Sequence, residues 1–159
     1  MWEEIDVSVV ATHLRDTRSS FVVGDAFLNA VQQARPLKAY AGVLTAEDTP
    51  RVYLLRCTEL RRYTRKGSRK VEDLIIPTKI SKPKKLHPED SQKTLLDDWS
   101  RAPVLVTPGL LEGLPLAVLD GNHRVSHHYC DNRTLAGVHV YVLSHPNFSG
   151  WVYFPENVG

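Results

Sequence analysis

The spacing of apolar and polar positions changes several times along the chain, and each change predicts a change of element. Ile5, Val7, Val9, Val10 and Leu14 fit both a helical and an alternating spacing, and the reading prefers a short helix over residues 5–14. In residues 25–34, Phe27, Leu28 and Val31 share one helical face, with Gly24 or Asp25 at the start and Pro36 as the stop. Residues 39–44 and 51–57 read as strands, and the turn-forming stretch 45–50 between them predicts a hairpin. Over 61–70 the apolar pattern is lost and Gly67-Ser68 appears, which predicts an exposed loop.

Downstream the pattern sharpens. Leu74-Ile75-Ile76-Pro77 reads as a short strand, left through the Lys/Pro-rich connection 81–85. His87-Pro88-Glu89-Asp90 has proline at a first helical position and acids in a first turn, and Leu95, Leu96 and Trp99 give that helix a buried stripe. Strands follow over 103–106 and 116–119, with turn-forming Pro108-Gly109 and Glu112-Gly113 between them. A helix over 122–130 and a strand over 138–143 complete the order strand, helix, strand, strand, helix, strand. That order predicts an α+β fold with a mixed sheet flanked by helices.

Composition narrows the setting. A chain of 159 residues, 42% hydrophobic, has the size and apolar content of a single domain spanning 1–159. Its longest apolar stretches fall far short of the ~20 residues that cross a bilayer, so no membrane partner is expected. The opening Met1-Trp2-Glu3-Glu4 is acidic where a secretory signal is basic. Cys57 and Cys130 form neither a CxxC pair nor a disulfide framework, so both are expected as reduced thiols and the expected address is cytoplasmic.

The net charge of +2 conceals an asymmetry. Between Arg56 and Lys85 stand eleven Lys/Arg and three acids, which leaves the rest of the chain acidic. Such a block offers Arg61, Arg62, Arg65, Lys66, Arg69 and Lys70 to a nucleic-acid backbone, with Tyr53 and Tyr63 available for stacking. A solvated connection between elements would carry the same charges.

Chemistry concentrates where the strand ending at Leu119 runs through Asp120-Gly121-Asn122 into a helix carrying His123 and Arg124. Amide hydrogens at a helix start have no acceptor inside the helix and attract anions. Gly121 allows the backbone to approach a phosphate and to take a positive φ. Arg124 can grip two phosphate oxygens, and His123 adds a donor. Asp120 would repel a bare phosphate, so its expected roles are to hold a divalent cation, to orient Arg124 or to accept a proton. The plain alternative is an aspartate cap with Arg124 and His123 on the helix surface. His123 and His127, four apart, with His128 and His139 elsewhere, are also metal-ligand candidates. The aromatic run 147–154 either stacks a base or, as preferred, seals the core.

Asp120-Gly121-Asn122-His123-Arg124, with Leu135-Ala136-Gly137-Val138-His139-Val140 after it and residues 75–80 and 103–107 before it, resembles the signature of the ParB N-terminal/sulfiredoxin superfamily. The resemblance covers residues 74–143 and leaves 1–70 as an N-terminal extension or as part of the same sheet. It implies a nucleoside triphosphate with Mg2+ as cofactor. Gly121, Asn122, His123 and Arg124 are then the nucleotide contacts, Asp120, His123 and Arg124 the catalytic candidates, and Asp120 the metal ligand. Asn122 stands where sulfiredoxins have their catalytic cysteine, so sulfur repair is not expected. With residues 144–159 after the last strand, the helix-turn-helix region of a complete partition protein is not expected here.

Three functions follow as expectations. One is an NTP-binding protein that hydrolyses its nucleotide or transfers phosphate, as an ATPase or phosphotransferase. Another is a DNA-binding protein or nuclease using the basic segment 56–85. The last is a protein-binding immunity or anti-defence module on the same fold.

Overall fold

The computed structural model describes residues 1–16, 36–55, 63–75 and 99–155. They build an α+β unit around a six-stranded mixed sheet. The strands are β1 (Glu3–Ile5), β2 (Lys38–Val43), β3 (Val52–Leu54), β4 (Val104–Thr107), β5 (Leu116–Asp120) and β6 (His139–Ser144), and the helices are α1 (Val7–Asp16) and α2 (Asn122–Asn132). Across the sheet the order is β1-β2-β6-β4-β5-β3. β1, β2 and β3 thus belong to the same sheet as the strands of the 74–143 region.

Side-chain alternation sends residues to two cores, because both faces of the sheet are covered. Leu105, Leu116, Val118, Val140 and Val142 face Val125 and Tyr129 of α2. Ala39, Val104, Val106, Ala117, Leu119 and Leu143 face Val10 and Leu14 of α1, together with Phe148, Trp151 and Phe154. Every residue of β4 is buried, so this central strand reads as an unbroken apolar run, the expected pattern for a strand covered on both sides.

The expected hairpin of β2 and β3 does not form. β2 lies antiparallel between β1 and β6, whereas β3 pairs in parallel with β5 at the far edge. The link is a 3-10 helix, Ala46–Arg51, opened by a hydrogen bond of 2.8 Å from the Thr45 amide to the Asp48 carboxylate. Arg51 then donates to the Leu114 carbonyl through Nη2 at 2.7 Å and Nε at 3.2 Å. That anchor holds the chain entering β3 beside the chain entering β5, and the parallel register Val52 to Leu116 follows. A side chain acting across 63 residues, which no local spacing encodes, decides the partner.

Most remaining expectations meet their elements. The ambiguous 5–14 segment supplies α1, 103–106 supplies β4, 116–119 supplies β5, 122–130 supplies α2 and 138–143 supplies β6. The expected helices over 25–34 and after His87 lie outside the described residues, as do Leu95 and Leu96. Trp99 is not part of a buried stripe: it begins a 3-10 turn, Trp99–Arg101, and is 37% exposed.

Candidate functional site

The site is made by the β5–α2 junction. β5 ends at Asp120, Gly121 turns the chain with φ 93° and ψ 24°, and α2 starts at Asn122. A left-handed backbone here is suited to glycine. A second constraint is spatial, since a Cβ on Gly121 would lie 3.1 Å from Arg124 Nη2, 3.2 Å from Pro103 Cβ and 3.4 Å from Pro103 Cα. Gly121 is therefore the floor of a tight junction on which the guanidinium rests.

The first intrahelical bond runs from the Val125 amide to the Gly121 carbonyl at 2.9 Å. Asn122, His123 and Arg124 precede it in the first turn of α2, the end of a helix that carries partial positive charge.

Arg124 curls back over the junction. Its Nη2 lies 3.2 Å from Asp120 Oδ2, with both side chains about one-seventh exposed, and its Nη1 donates to the Arg101 carbonyl. Of the three roles expected of Asp120, the geometry displays the orienting one. Magnesium does not fit a site built by the protein alone: the Asp120 carboxylate is directed at Arg124, and among the described residues no group of three or more His, Cys, Asp or Glu could hold a metal. The histidine candidates His123, His127, His128 and His139 belong to no such group among the described residues, and His127 Nε2 lies 3.3 Å from Asp131.

Asn122 is turned inward. Its Oδ1 accepts from the Leu55 amide at 3.1 Å and its Nδ2 donates to the Val118 carbonyl at 3.0 Å, which ties the end of β3 to β5 beneath the turn. His123 stands on the first turn of α2, half-buried. His128, one turn beyond Arg124, is buried, and burial pushes its pKa below the usual value of 6.5; Asp131 opposes this and His127 adds to it.

Sequence reasoning missed the other wall. Segment 99–103 crosses the end of the sheet, and its successive carbonyls point to different helices. Arg101 accepts from Arg124 of α2, while Ala102 accepts from His13 Nε2 of α1 at 2.8 Å. Backbone carbonyls leave no signature in a sequence, and Pro103 read only as the start of a strand. A cleft of about 270 Å³ lined by Tyr40, Pro108, Leu111 and Pro146 opens at the opposite end of β4 and β6.

The basic block is divided. Arg61 and Arg62 lie outside the described residues. Arg65 and Lys66 are exposed on a 3-10 turn, but Arg69 and Lys70 are half-buried. Lys70 bridges to Tyr53 and places its ammonium 5.9 Å from that ring, and Arg69 Nε is buried without a hydrogen-bond partner among the described residues. The C-terminal aromatics follow the preferred expectation, with Phe148, Trp151 and Phe154 buried in the core.

No protein-family model, curated protein or solved structure matches this chain. The ParB/sulfiredoxin-like resemblance therefore rests on the quoted residues alone.

Proposed function

We propose that this chain is a ParB/sulfiredoxin-like nucleotide-binding protein that takes the phosphates of a nucleoside triphosphate at the turn 119–124. The observation that carries the proposal is the Arg124 guanidinium held over the Gly121 turn at the start of α2, braced by Asp120 and by the Arg101 carbonyl. Asp120 pre-orients Arg124 and balances its charge, so a bound phosphate would take the place of the Arg101 carbonyl as an acceptor. Hydrolysis or transfer of the terminal phosphate is the reaction class that suits these groups. The amides would hold oxygens, and Arg124 with His123 would stabilise the charge that develops on them.

Calorimetric titration with ATP, CTP and their non-hydrolysable analogues tests the reading. Saturable binding that Arg124→Ala abolishes supports it. Absence of heat from the wild type at millimolar nucleotide removes it.

A further inference from the structure

We infer that Trp99 is the surface on which the nucleobase of that nucleotide stacks, an assignment that rests on the nucleotide reading above. A tryptophan with over a third of its surface in water leaves apolar area uncovered in a chain that otherwise buries its sheet on both faces. Its ring is also held in place, 4.8 Å from His139 and edge-on at 87°, and 5.2 Å from Tyr141 at 41°. His13 packs edge-on against Tyr141 at 5.1 Å. Exposed Val43, paired across the strands with His139, and exposed Val9, one helical turn before His13, extend the apolar surface. A rigid aromatic ring of this kind stacks planar bases with little regard to their identity.

What links this cluster to the phosphate turn is the segment 99–103. It starts at Trp99 and ends at Pro103, whose ring packs on Gly121. Four residues span at most ~14 Å, a length over which one nucleoside triphosphate can reach from base to terminal phosphate. The segment is fixed at both sides, by Arg124 on the Arg101 carbonyl and His13 on the Ala102 carbonyl. The Pro103 carbonyl also accepts from the Tyr141 amide at 3.0 Å. Base surface and phosphate turn therefore lie at the two ends of one braced segment, and a ligand following that segment around the end of the sheet would reach both.

The full chain is titrated with ATP, adenosine and inorganic tripolyphosphate, by calorimetry and tryptophan emission, as wild type, Trp99→Ala and Trp99→Phe. ATP is expected to quench emission where tripolyphosphate does not. Trp99→Ala should weaken ATP about tenfold, leave tripolyphosphate within twofold, and be largely rescued by Trp99→Phe. Equal ATP affinity in wild type and Trp99→Ala overturns the assignment while leaving the turn intact. Parallel loss of ATP and tripolyphosphate in Trp99→Ala also overturns it, because that pattern marks a structural role. If Trp99→Ala fails to fold, the Trp99→Phe affinities and the wild-type quenching contrast decide, and identical emission responses to ATP and tripolyphosphate overturn it. Failure of tripolyphosphate and ATP alike to bind the wild type sinks the turn reading itself.

Discussion

Replacing Gly121 by alanine tests the junction most sharply, because two separate penalties meet there. The left-handed backbone at φ 93° costs an L-residue ~1–2 kcal/mol. The new methyl would also press on Pro103, where the ring and Cα cannot swing aside as Arg124 can, and crowding of this kind costs ~1–3 kcal/mol. A stiffer unfolded chain offsets ~0.4–1 kcal/mol. The expected net loss is ~1–5 kcal/mol, which in a chain of this size lowers Tm by about 2–4 °C per kcal/mol. Gly113 provides the control, since its φ is 73° and nothing lies within 4 Å of its Cβ position. Gly113→Ala pays the backbone penalty alone. Urea denaturation of both variants should place Gly121→Ala ~1–3 kcal/mol below Gly113→Ala, the part due to close approach. Equal midpoints and slopes for the two would refute the packing of Gly121 against Pro103.

Other expectations follow from the same contacts. Asp120→Asn keeps the shape and removes the charge opposite Arg124, so it should lose ~1–3 kcal/mol in chemical denaturation yet bind tripolyphosphate more tightly; weaker binding would show that Asp120 does more than orient and balance. Asn122→Ala removes both bonds that tie Leu55 and Val118 together, at ~1–3 kcal/mol, and should speed hydrogen exchange at the Leu55 amide; an unchanged exchange rate would contradict the tie. His128 has its folded pKa lowered by burial, so the unfolded chain takes up its proton first as pH falls. Its contribution to stability is complete above pH 6.5 and is lost between 6.5 and the lower folded value, and a His128→Gln chain should show a shallower decline over that window in denaturation midpoints.

Elements whose apolar spacing is set by their own burial were legible in the sequence. β4, β5, α2 and β6 are short runs with turn residues at their ends, and each lies where its spacing predicts. Pairing was less legible, because β3 finds β5 through Arg51 reaching the distant Leu114 carbonyl rather than through the turn beside it. At the site, the glycine turn and Arg124 were readable from one pentapeptide. The sequence did not reveal that Asn122 is a brace, that Arg101 and Ala102 offer carbonyls to two helices, or that Trp99 faces water, since each depends on residues brought together from afar. The basic block shows the converse limit. Its composition advertises a uniform positive surface, whereas Arg69 and Lys70 are partly taken into packing.

Amide chemical shifts, followed by NMR as tripolyphosphate is added to the full chain, probe the junction directly. The account predicts the largest saturable shifts at Gly121, Asn122, His123 and Arg124, and their loss in Arg124→Ala. Shifts confined to other segments, or none at millimolar anion, would contradict a phosphate site where β5 hands over to α2.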